Sequence, residues 1–189
     1  VFVPPGPLRT VPLAAFHDGE RYLLERFDIA TTLGLQLTED ADFEARRGTA
    51  FVGGVSESVQ GFSALPAVVD EVGALEVALG AQPVLNSAFN TAHVTEQLAN
   101  GHHTIVHMAT HGVFSGEHAD SFLLTHDGRL TLDRLQSTVG ARRFTGTPLD
   151  LLVLSACETA KGDARAALGL AGISLKAGAR STLASLWPI

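Results

Sequence analysis

Short apolar runs alternate with amphipathic ones along most of the chain, and each run predicts an element. Thr49-Ala50-Phe51-Val52-Gly53, ending at Gly53-Gly54, predicts a strand followed by a turn. Pro66 opens PAVVDEVGALEVALG, where Val68, Val69, Val72, Leu75 and Leu79 fall at helical spacing and Gly80 is the stop. Pro83-Val84-Leu85 predicts a second short strand, and residues 91–99 a helix closed by Asn100-Gly101. A third strand follows over Thr104–Ala109 and a short helix over 131–139. Leu149–Leu154 (LDLLVL) is the clearest strand of all, Ala164–Ala177 an Ala/Leu/Gly-rich helix, and Ser181–Trp187 a last strand. The stretch 112–128 reads as irregular around a short SFLLT run.

Strands that are continuous apolar runs, rather than alternating ones, are buried on both faces. Interleaved with helices, they predict an α/β fold: a mostly parallel sheet sandwiched between helices. The first 40 residues differ, since VFVPP, VPLAA and RYLLERFDIATTL are strand-like with turns between them and no clear helix. They predict an N-terminal strand or hairpin extension. No internal repeat or low-complexity segment interrupts the chain, and its 189 residues suit a single domain spanning 1–189.

Composition narrows the function classes. With 46% hydrophobic and 17% charged residues the chain has the apolar mass for a core, which excludes a disordered tail, a collagen-like repeat and a coiled coil. A net charge of −7, from 13 basic and 20 acidic residues, argues against sequence-independent binding to nucleic acid and against an anionic membrane surface. Cys157 is the one cysteine, so neither an internal disulfide framework nor a Cys-rich zinc site can be built. Apolar stretches fall well short of the ~20 residues a membrane-spanning helix needs. No signal peptide opens the sequence, and a reducing, cytoplasmic setting is the default expectation. The chain starts at Val1 rather than Met, so a piece of a longer protein is expected.

In a parallel α/β sheet, ligands bind beyond the carboxyl ends of the strands. Two predicted ends carry chemistry there. The strand over 104–109 runs into Thr110-His111-Gly112, and the strand over 149–154 runs into Ser155-Ala156-Cys157-Glu158-Thr159. A thiol attacks as thiolate, and a nearby imidazole both favours that form and later protonates a leaving amine. Small neighbours let a substrate carbonyl and backbone N–H groups approach closely. Against this stands the inert alternative, because a cysteine at a strand end is often only packing.

The segments HMATHGVF (107–114), LVLSACETA (152–160) and AGARSTLASLWP (177–188) resemble the CHAT family of caspase-like cysteine peptidases. SFLLTHDGRLTLDRLQS (121–137) between the His and Cys blocks, and PGPLRTVPLAAF and RYLLERFDIATTLG upstream, extend the likeness over nearly the whole chain. The resemblance implies a caspase–hemoglobinase fold, with His111 as the dyad histidine, Cys157 as the nucleophile, and the backbone N–H groups of Gly112 and Cys157 as oxyanion donors. It implies a cysteine endopeptidase that hydrolyses a protein or peptide substrate and needs no metal or organic cofactor. Relatives are commonly fused to helical repeats such as TPRs, which implies a regulated bacterial protease. They also continue past the SLWP block, so the C-terminal part of the domain is expected to be missing beyond Ile189. That early stop supports the rival reading, a catalytically inactive interaction or regulatory module.

Other signals are weaker. His107 and His111 lie four apart on a strand and its exit, roughly 13 Å, too far to share a metal ion, and His107 reads as a packed residue with one hydrogen-bond partner. His102 and His103 are expected in a solvated helix-to-strand loop. No GxGxxG, P-loop or GxSxG occurs, so neither nucleotide binding nor a Ser155 nucleophile is supported. A thiol amidase lacks its expected GxCxG-like elbow. Glu158 either shapes the substrate cleft or complements a following helix dipole. Trp187 lines the cleft or belongs to the core.

Overall fold

The computed structural model describes residues 1–5, 8, 11–32, 49–100, 102–113, 121–142, 149–157 and 178–184, with Asn100 and Cys157 described by their backbone. The chain divides into two compact units, Val1–Arg46 and Arg47–Ile189.

In the first unit the expected strands are reduced to isolated bridges, Phe2 with Thr31 and His17 with Tyr22. Two 3-10 turns, Leu13–Ala15 and Leu23–Glu25, stand where VPLAA and RYLLERF read as extended. Pro4, Pro5 and Pro12 have no N–H to give a ladder, which keeps the pairing local. The predicted hairpin survives as the reversal at 17–22. There Asp18 Oδ1 accepts from the N–H groups of Glu20 and Arg21, both at 2.9 Å, and the His17 and Tyr22 rings meet edge-on at 4.7 Å.

The second unit is the α/β body. Its strands are β1 (Thr49–Gly54), β2 (Val84–Leu85), β3 (His103–Val113), β4 (Phe122–Leu124), β5 (Arg129–Thr131), β6 (Leu149–Cys157) and β7 (Ala179–Ala184). Its helices are α1 (Ala67–Leu79), α2 (Thr91–Asn100) and α3 (Leu132–Ala141). The parallel strands run β2-β1-β3-β6-β7, and β4-β5 joins the end of β3 as an antiparallel hairpin. The chain is thus a mixed α/β fold with a mainly parallel sheet. The arrangement is consistent with a caspase-like fold.

The sheet is covered on both faces, as the apolar runs require. Val68 and Val72 of α1 pack on Val52 and Ala109 on one face. Val94 and Leu98 of α2 with Leu132, Leu135 and Val139 of α3 pack on Val106, Met108, Leu152 and Leu154 on the other. The alternation within β3 separates the faces: Val106 and Met108 serve α2 and α3, while His107 and Ala109 serve α1. Among the described residues no helix is long and apolar enough to cross a membrane.

Several boundaries differ from the sequence reading, each for a physical reason. Gly53 and Gly54 are not a turn but the last two residues of β1, paired with Met108 and Ala109 on one side and with Val84 and Leu85 on the other. Glycine is required because the neighbours leave no room: a Cβ on Gly53 would stand 2.6 Å from the Val84 carbonyl oxygen and 2.7 Å from Phe89 Cδ2. His103 is not solvated but opens β3, its Nε2 3.1 Å from Gln97 Oε1 and its ring 6.0 Å from that of Phe51. The region 112–128 that read as irregular contains the end of β3 and the strand β4, whose three residues are too few to show alternation. The helix predicted over 164–177 lies outside the described residues. The last strand is β7, and residues 185–187 of its predicted range also lie outside them.

Candidate active site

The order β2-β1-β3 creates a switch point. From β1 the chain passes through α1 to β2 on one side, then through α2 to β3 on the other. At such a point the carboxyl ends of adjacent strands open a crevice, because their connections depart in opposite directions. The segment 55–65 follows β1 at this edge and meets the end of β3 at His111, through the Ser63 carbonyl.

His111 lies within β3 rather than beyond it, because pairing with β6 carries the ladder through residue 111. Its register partner there is Cys157, the last residue of β6. Neighbouring strands lie about 4.8 Å apart, so the backbones of His111 and Cys157 are immediate neighbours at the carboxyl edge. Gly112 follows, buried and paired with Leu123 of β4. Thr110 fastens this corner from the α2–α3 face, donating its hydroxyl to the Leu124 carbonyl at 2.8 Å. Glu158 and Trp187 lie outside the described residues.

The imidazole is held from the segment after β1. His111 Nε2 is 2.7 Å from the Ser63 carbonyl oxygen. A carbonyl can only accept, so Nε2 carries the proton and Nδ1 is left with a free lone pair in the neutral ring. The Phe62 ring lies over the imidazole at 5.1 Å, tilted 39°, and meets Phe122 edge-on at 6.3 Å. One bond and one ring contact thus fix both the tautomer and the plane of His111.

The segment 55–65 is itself tied down at several points. Asn86 Oδ1 accepts from the N–H of Ser56 at 2.8 Å and of Glu57 at 3.3 Å, and the Leu65 N–H returns to the Ser56 carbonyl at 2.9 Å. Between them the chain reverses at Gln60-Gly61, with the Val59–Phe62 bridge closing the turn. The β4–β5 turn beside it is anchored to α2 through Asp127, whose Oδ1 accepts from the Thr91 N–H at 2.7 Å. That bond, chiefly, holds the Asp127 carboxyl below the usual carboxylate range.

His107 is separate from this group. It is buried under α1 with its Nε2 2.8 Å from Glu71 Oε1, the single-partner packing its sequence position suggested. Ser63, Phe62 and Gln60 were not legible as site residues. Ser63 acts through its backbone, which leaves no side-chain signature. The Gln60-Gly61 dipeptide between Val59 and Phe62 was a usable turn signal.

A family model of the CHAT domain matches residues 1–189, the whole chain. The chain belongs to the CHAT domain family. The family is caspase-like and peptidase-related, so the resemblance carried by HMATHGVF and LVLSACETA holds over the full length. Comparison with curated proteins gives no match, and neither does comparison with solved structures. In this CHAT domain residues 107–113 of the first block lie in β3 and residues 152–157 of the second in β6, adjacent strands of one sheet.

Proposed function

We propose that this CHAT domain is a cysteine endopeptidase in which Cys157 is the nucleophile and His111 the acid–base residue. The observation that carries the reading is the pairing of residues 111 and 157 at one sheet edge, beside a crevice formed by the switch in strand order. Nδ1 of His111, unprotonated in the neutral ring, takes the Cys157 thiol proton as the sulfur attacks the scissile carbonyl. The backbone N–H groups of Gly112 and Cys157 stabilise the oxyanion. The C–N bond breaks as Nδ1–H protonates the leaving amine, which departs and leaves a thioester. A water then loses its proton to Nδ1 and attacks the thioester, releasing the acid and restoring the thiol. Throughout, Nε2–H stays bonded to the Ser63 carbonyl, which stabilises the transient imidazolium and keeps the ring from turning. No metal or organic cofactor takes part. Protein or peptide chains are the substrates, in the cytoplasm, under control of fused or partner helical repeats.

The test is cleavage of protein substrates by the native protein with its partners, comparing Cys157→Ala and His111→Ala with the wild type. Each substitution is expected to lower turnover by about two to four orders of magnitude. Cleavage that persists in Cys157→Ala, or none by the wild type under any activating condition, would leave a non-catalytic interaction module as the better reading.

A further inference from the structure

We propose that Gln60 is a positioning residue for His111, acting through the segment 55–65. This rests on His111 being the acid–base residue. Three observations converge on Gln60. Its backbone is left-handed, with φ 52°, and Gly61 follows at φ 83°. Two consecutive positive φ values at the centre of the Val59–Phe62 turn are the type I′ pattern, in which Asn-Gly is strongly preferred at these two positions. Glutamine is a poor choice for the first position, because its Cβ crowds the following carbonyl and its longer side chain lacks the local hydrogen bond by which asparagine offsets that crowding.

What glutamine has and asparagine lacks is reach. The Gln60 amide nitrogen donates to the Thr125 carbonyl at 2.8 Å and lies 3.3 Å from those of His126 and Gly128. Three acceptors around one –NH2 settle its orientation, since the amide oxygen would be repelled there. The side chain thus clamps the turn after β1 to the turn between β4 and β5. Gln60 is solvent-exposed, and its amide would be satisfied by water in any conformation. Stability alone gives no reason to hold a left-handed glutamine, whereas geometry does.

The clamped segment carries both groups that fix His111. Phe62 and Ser63 follow Gln60 by two and three residues, one lying over the imidazole and the other accepting its Nε2–H. The second attachment has the same destination, since Phe62 also packs on Phe122 of β4. Losing the amide leaves the turn free to swing away from β4–β5 and takes the Ser63 carbonyl with it. The ring then loses its preferred tautomer, and Nδ1 ceases to be the nitrogen reserved for proton transfer.

The experiment compares Gln60→Ala, Gln60→Asn and Gln60→Lys with the wild type in the full chain, by imidazole nitrogen NMR of His111, thermal unfolding and turnover. Asparagine relieves the backbone yet is too short for the carbonyls, so Gln60→Asn is expected to be as stable as the wild type or more so. Even so, both Gln60→Asn and Gln60→Ala should show His111 as a mixture of tautomers, with kcat reduced by ten- to a hundredfold and KM nearly unchanged. Lysine restores a donor long enough to reach the same oxygens, and Gln60→Lys should recover the Nε2–H form. An Nε2–H tautomer retained in full by Gln60→Ala and Gln60→Asn would overturn the proposal. The NMR result stands whether or not the protein cleaves peptides, so a wild type without Cys157-dependent cleavage would remove the peptidase reading and still leave Gln60 decided.

Discussion

His111 stands directly opposite Cys157 in the parallel ladder of β3 and β6, at the last residue of β6. Because the strands are parallel, both positions come to the same carboxyl edge, although they are 46 positions apart in sequence. His111 is also held from outside the ladder, by the Ser63 carbonyl. In the proposed dyad the imidazole favours the thiolate form of Cys157. Iodoacetamide is therefore expected to modify Cys157 readily near neutral pH, and His111→Ala to slow the reaction about tenfold. Mass spectrometry of the modified chain gives both rates. Equal, slow rates would place Cys157 among inert packing cysteines.

The elements legible in the sequence are those whose apolar positions recur at local spacing. Val68 and Val72 at helical spacing define α1, and the short, Leu-rich LDLLVL run gives β6, with Leu149, Leu152 and Leu154 in the core. What escaped is set by long-range pairing. β3 continues past Ala109 because Thr110 and His111 find partners in β6, and Gly112 and Val113 in β4, and none of these partners can be inferred from neighbouring residues. Gly53-Gly54 carried a turn signature because glycine serves two purposes, positive φ and close approach, and composition does not separate them. At the candidate site the side-chain chemistry of His111 and Cys157 was readable, while the Ser63 carbonyl was not, since every residue has one.

The close approach at Gly54 predicts a large and local cost. A Cβ there would collide with the Ala109 carbonyl and press on Val68 Cγ1 at 3.0 Å. The carbonyl belongs to the central strand and accepts from the Val55 N–H at 3.0 Å, so it has no freedom to yield. Gly54→Ala is expected to destabilise the fold by about 3 kcal/mol or more, the range reserved for backbone collision and overpacking in a core. Val77→Ala, at a highly exposed position on α1, should shift stability by less than about 0.5 kcal/mol. Urea unfolding midpoints decide it, and a Gly54→Ala protein with a wild-type midpoint would contradict the packing described for β1 and β3.

Acid should weaken the fold in two separable steps. His103 has its pKa lowered from 6.5, first by burial and then by the positive charges of Arg142 and His102. Its unfolded form binds a proton near 6.5 while the folded form resists it, so the unfolded state holds more protons below that value. Stability is then complete above about pH 6.5 and falls as the pH drops towards the folded pKa. Asp127 is lowered from 3.8, chiefly by the Thr91 N–H, and its contribution is present above that value and lost as the pH falls through the folded pKa. The carboxylate is mostly exposed, so its effect is modest and reduced by salt. His103→Gln keeps a polar group near Gln97 but removes the titration, and should flatten the decline that begins near pH 6.5 while leaving the one below pH 4. Asp127→Asn should do the reverse, since its neutral amide oxygen accepts at the Thr91 N–H at every pH. Thermal unfolding of the three proteins from pH 3 to 8 reads both steps. A wild-type decline between pH 6.5 and 5 that His103→Gln leaves unchanged would mean that another histidine carries it.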